Sequence, residues 1–217
     1  MSAIKSMTSR TYTTPVWDPS VSVRGSECQY IPDSNSLYLP AALFNKEETY
    51  EEMLGTDGFL IANSIAHSIF GTGAYYNEFG EYKHWWSEDD QSEYLARMSP
   101  LTEKLNNITY MENAKYNGVL VREEAAIDLA SMQTLHKIAE NKGKFDYKTF
   151  YESFTKMLKM EKSVKEIRAW ALDNEVPLPY IRVNLTLSQF DEFAETYRVH
   201  PNDRMHVDEA AKLFILE

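Results

Sequence analysis

Residues 63–67, Asn-Ser-Ile-Ala-His, have the spacing of a zinc-hydrolase pattern without its chemistry. In His-Glu-x-x-His, two imidazoles four positions apart share one helix face and grip one Zn²⁺, while the glutamate between them takes a proton from the metal-bound water. Asn63 holds the first position here, and a neutral amide oxygen is a poor zinc ligand beside an imidazole. Ser64 holds the glutamate position. Its hydroxyl is no general base near neutral pH, and losing such a base costs on the order of 10²–10⁴ in rate. Taken alone, His67 reads as a hydrogen-bonded structural histidine. Glu124 and Asp128, one helical turn apart with Arg122 nearby, read alone as a polar helix face. Cys28 has no His or cation beside it in sequence, which argues against a catalytic thiol.

Helices must position these groups. Thr56 and Asp57 signal a helix start, predicted to run over 56–70 and to stop at Gly71 and Gly73, with Asn63 and His67 on one face. A second helix is predicted over 122–140, with Ile127, Leu129, Met132 and Leu135 as its apolar contacts. Ser87 caps a helix whose acidic start, Glu88-Asp89-Asp90, suits the helix dipole. Further helices are expected over 146–159, 163–172 and 188–197, and a short strand over 37–39 ending at Pro40. The fold class is therefore α+β, predominantly helical, with a small sheet. Residues 1–25, with Pro15 and Pro19, read as an extended lead-in to one domain over 26–217. Trp85 and Trp86 read as packing groups, and Glu47, Glu48, Glu51 and Glu52 as a solvated face. Nothing near His200 or His206 makes a ligand set for them.

Composition narrows the partners. With 43% hydrophobic and 25% charged residues over 217 positions, the chain can bury a sizeable core. Its 33 acidic residues against 22 basic ones give a net charge of −11, which disfavours nucleic acid and anionic membrane. One cysteine excludes an internal disulfide. No apolar run reaches the roughly 18 residues of a membrane span, and Met1-Ser2-Ala3-Ile4-Lys5 lacks the apolar core of a signal peptide. These features leave the compartment open.

Several blocks in order carry a resemblance. Asn35 to Leu43 reads Asn-Ser-Leu-Tyr-Leu-Pro-Ala-Ala-Leu; His67-Ser68-Ile69-Phe70 leads through Gly71 to Trp85-Trp86-Ser87. Tyr116-Asn117-Gly118 precedes Glu124 and Asp128; Asp146-Tyr147-Lys148 precedes Phe150-Tyr151-Glu152-Ser153-Phe154; Arg182-Val183-Asn184 precedes Phe190-Asp191-Glu192-Phe193. From Leu37 to Phe193 the sequence resembles the carboxy-terminal catalytic part of the neprilysin (endothelin-converting enzyme) family of zinc metallopeptidases. That resemblance implies a zincin-like, thermolysin-type subdomain. It places His67 and Glu124 at metal-ligand positions, Asn63 at the lost ligand, Ser64 at the general base and Asp128 at the carboxylate that orients a zinc-bound His. It also places Glu175 where the family has its transition-state His, and Arg182 where it has a substrate-facing Arg. An acceptor at Glu175 would repel the oxyanion that a His stabilises. The family's substrate-backbone clamp falls on Glu27-Cys28-Gln29-Tyr30. The family chain is also much longer, so an amino-terminal domain or a partner chain would be needed to close the cleft. Its extracellular animal members are disulfide-rich, so a single cysteine fits a bacterial-type member, cytoplasmic or exported.

Three functions follow as expectations. The first is a pseudopeptidase that binds a peptide or protein through the old cleft, with no zinc expected. The second is a hydrolase with a non-standard metal site, in which His67, Glu124, Asp128 and Glu175 suit Mn²⁺ or Ca²⁺. The third is a structural module of a larger chain.

Overall fold

A computed structural model describes residues 18, 21–22, 25, 28–44, 48–111 and 114–216. The fold is organised around one long helix, α4 (Gly118–Glu140), which threads two apolar clusters. Val121, Ala125, Ala126 and Leu129 belong to the first cluster, and Met132, Leu135 and Ala139 to the second. Each large side chain buried this way contributes roughly 1.5–3 kcal/mol. Asn117 caps the helix, its side-chain oxygen accepting from the Val119 backbone N–H at 3.2 Å. Gly118 allows α3 (Glu88–Asn106) to pack tightly, because a Cβ there would collide with the Thr102 carbonyl. The long helix was predicted to begin at 122; the Asn117 cap starts it a turn earlier.

The helix bearing Asn63 lies against α4. It begins as α1 (Tyr50–Met53), passes through a π turn (Leu54–Gly58) and continues as α2 (Phe59–Ala66). Thr49 and Glu52 form a reciprocal capping box: the Thr49 hydroxyl accepts from the Glu52 N–H, and the Glu52 carboxylate accepts from the Thr49 N–H. The start predicted at 56 is thus corrected, and Glu52 is a cap rather than part of a merely solvated face. The predicted stop at 70 is also corrected. The helix ends at Ala66 with His67 as its capping residue, and the chain then turns through Gly71 at φ +57°. Gly73 packs behind His67, with no room for a Cβ beside the His67 carbonyl.

A hairpin of β1 (Gln29–Ile31) and β2 (Ser36–Tyr38) lies beside α2, with Tyr30 opposite Leu37. A second small ladder pairs β3 (Thr109–Met111) with β4 (Ala114–Lys115). The remaining helices are α5 (Tyr147–Met157), α6 (Val164–Asp173), α7 (Pro179–Leu187) and α8 (Asp191–Tyr197). Helix α7 was not predicted, and the helix predicted over 188–197 begins later, because Phe190 is extended at φ −108°, ψ 131°. Trp86 packs edge-on against Phe70, while Trp85 is 47% exposed and donates its indole N–H to the Gly73 carbonyl. The lead-in over 1–25 lies almost wholly outside the described residues, as do Glu27 and Glu47. Among the described residues no helix is long and apolar enough to cross a membrane.

Candidate functional site

Helices α2, α4 and α7 bring together most of the residues singled out from sequence. Asp128, on α4, is fully buried, and both its oxygens are engaged. Arg182, on α7, donates from Nε to Asp128 Oδ2 at 2.6 Å and from Nη2 to Oδ1 at 2.7 Å. Asn63, on α2, donates its amide N–H to Oδ1 at 3.1 Å. A planar guanidinium fork on a carboxylate is the strongest form of ion pair. Burial alone would lower the Arg182 pKa, but the Asp128 carboxylate outweighs it and holds the guanidinium above its usual value.

One turn earlier on α4, Glu124 meets a different environment. Its Oε1 lies 3.6 Å from His67 Nε2, too long for a well-made hydrogen bond. Burial is the main cause that pushes the Glu124 carboxyl up to about 7, with the charges of Asp128, Glu175 and Glu123 adding to it and Arg182 opposing. Burial also lowers the His67 pKa, against the pull of Asp128, so the imidazole favours its neutral form. Glu175 is exposed, between α6 and α7, and close enough for its charge to act on Glu124. Its loop is pinned by the Trp170 indole N–H, which donates to the Val176 carbonyl at 2.8 Å.

Ser64, on α2, is buried. Its hydroxyl meets the Cys28 thiol, which burial and the Asp57 carboxylate push up and Ser64 holds down. Cys28 stands just before β1, so hairpin and helix meet at Ser64. Sequence spacing gave no sign of this contact; the alignment of residues 27–30 with a substrate clamp was the one signal that placed Cys28 near the cleft.

The donor set does not fit zinc. His67 and Glu124 supply two donors, the Asn63 amide is engaged by Asp128, and the Asp128 oxygens are filled by Asn63 and Arg182. A catalytic zinc site needs three protein ligands and an open position. Among the described residues, no group of three or more His, Cys, Asp or Glu side chains is arranged to hold a metal.

Comparison with known proteins gives this arrangement a context. Residues 28–213 match Peptidase family M13. The neutral endopeptidase of Lactococcus lactis subsp. lactis (strain IL1403) is 26% identical over 183 residues, covering 82% of this chain and 29% of that protein. The neutral endopeptidase of Lactobacillus helveticus is 25% identical over 192 residues, covering 86% of this chain and 29% of that protein. The chain therefore spans less than a third of the length of these relatives. Among solved structures, the zinc metalloprotease ZMP1 of Mycobacterium tuberculosis in complex with an inhibitor superposes with a TM-score of 0.81 at 18% identity, over 94% of this chain and 34% of that one. PEPO from Lactobacillus rhamnosis HN001 superposes with a TM-score of 0.76 at 23% identity, over 86% and 30%. The fold is that of the zincin-like peptidases.

Proposed function

The chain belongs to peptidase family M13, the neprilysin family, and on that premise we propose that it is a member that binds a peptide or protein without cleaving it. The observation that carries this reading is the Asn63 amide on Asp128. At the position where the family pattern has a zinc-binding His, this side chain is tied into a buried hydrogen-bonded pair with Arg182. Ser64 supports the same reading, since its hydroxyl meets Cys28 and offers no base to a water. Arg182, with 16% of its side chain accessible, stands where a bound peptide would meet it. Because this chain aligns with only 29% of each of these relatives, an amino-terminal domain or a partner chain closes the cleft over that peptide.

The test is zinc content by elemental mass spectrometry, on protein purified without chelator or metal-affinity resin, alongside His67→Ala. Both should hold almost no zinc. The double change Asn63→His with Ser64→Glu should raise occupancy toward about one zinc per chain, because it completes a three-ligand set, and adding His67→Ala should abolish it. About one zinc per chain in the unaltered protein, lost in His67→Ala, would overturn the proposal, as would peptide cleavage that Ser64→Ala removes.

A further inference from the structure

The two apolar clusters do not close completely against each other. Between the end of α5, α6 and the start of α7 lies a cavity of about 400 Å³, within the roughly 300–1,000 Å³ range of small-molecule sites. Its floor draws on both clusters, with Met160, Ile167 and Leu178 from the first and Leu158 and Val183 from the second. Arg182 does not line it, so it is distinct from the cleft described above.

The rim carries the information. Lys156, Lys159 and Lys162 line the cavity, and among the described residues no carboxylate does. This is notable on a chain with 33 acidic side chains and a net charge of −11. Lys156 and Lys159 make only exposed ion pairs, with Glu152 at 3.6 Å and Glu161 at 3.2 Å. Such pairs hold a side chain weakly, so both ammonium groups can turn to a ligand. Lys162 lies over the Trp170 ring at 5.3 Å, which fixes its stem beside the opening. The lysine stems extend the apolar wall while their heads stay in water.

An apolar floor whose charged lining residues are all lysines, beside the neutral polar Thr155, Tyr180 and Asn184, complements a molecule with a hydrocarbon body and one anionic end. We propose that this cavity binds an amphipathic anion, an alkyl carboxylate of medium length, with its chain in the seam and its head group among Lys156, Lys159 and Lys162.

The experiment is calorimetric titration of the full chain with sodium decanoate below its micelle concentration, beside decanol and sodium acetate. A triple variant, Lys156→Ala with Lys159→Ala and Lys162→Ala, is titrated in parallel. Lys156 and Lys159 are exposed and Lys162 is half-buried over Trp170, and none of the three belongs to either apolar cluster, so the variant should keep the parent's circular dichroism and melting profile. Decanoate should saturate one site, with decanol and the triple variant each weaker by about tenfold, the loss of a charge-assisted contact, and acetate should not saturate. Equal binding of decanoate and decanol, undiminished binding by the triple variant, or no decanoate binding would each overturn the proposal. So would binding of an acidic apolar peptide where decanoate fails.

Discussion

Two carboxylates one turn apart on the same helix meet opposite fates in this site. Asp128 is sealed from water and both oxygens are filled by Arg182 and Asn63. Glu124 has a neutral-leaning imidazole at 3.6 Å, lies near three other carboxylates and is pushed up to about 7. The contrast teaches what a buried carboxylate needs in order to stay ionised. A carboxylate that needs only hydrogen-bond donors is satisfied by an amide and a guanidinium. A carboxylate buried beside other carboxylates with no short donor has no such compensation, and the group shifts toward its protonated form.

The largest effect should come from the satisfied half. Asp128→Ala strands the buried Arg182 charge, and removing one partner of a buried pair typically costs about 3–5 kcal/mol. Urea or guanidinium unfolding would show it; a loss below about 1 kcal/mol would mean the pair behaves like a surface salt bridge, and the contrast would collapse. Asn63→Ala should cost less, about 1.5–3 kcal/mol for a hydrogen bond to a charged group, since Arg182 still covers both Asp128 oxygens.

The unsatisfied half should show itself through pH. Glu124 has a folded pKa near 7 against an ordinary value of 4.5, so the folded state holds its proton more tightly than the unfolded chain. Its stabilising contribution is present below about 4.5 and is lost as pH rises toward and through 7. Glu124→Gln removes that dependence. Its stability relative to the parent should therefore rise between pH 5 and 8 by on the order of 1–3 kcal/mol, followed by denaturant midpoints across that range. A flat difference would place Glu124 with Asp128, as a carboxylate already satisfied.

Much of this architecture could be read before the structure, and the failures have physical causes. Ser87 with Asp90, and Ser163 with Glu166, form capping boxes whose signals are local, and both helices start where the sequence predicts. Thr49 and Glu52 form the same kind of box, but Glu52 sits in an acidic run that masks it. Helix α7 was not predicted, although Pro179 at its first position is itself a start signal. The residues that α2, α4 and α7 bring together were named through the resemblance, one position at a time. Their mutual arrangement was not. Asp128 and Arg182 are 54 positions apart, Asn63 and Asp128 are 65 apart, and no local pattern encodes that three helices will press them together. The Cys28 contact with Ser64 depends in the same way on hairpin and helix packing.

The smallest effect is the most discriminating. His67 caps the end of α2 with its side chain 36% exposed, and burial favours its neutral form. Such a group gives Glu124 neither a positive charge nor a short hydrogen bond. His67→Ala should therefore change stability by no more than about 0.5 kcal/mol, as at an ordinary surface position. It should also admit water to Glu124 and lower that carboxyl's titration midpoint, measurable as a weaker pH dependence in the same denaturant series. A loss as large as that of Asn63→Ala would mean that His67 and Glu124 hold each other as firmly as Asn63 and Asp128 do. In that event the two halves of the site would be equally structural, and the raised Glu124 pKa would reflect tight packing around a made contact rather than a buried carboxylate without a donor.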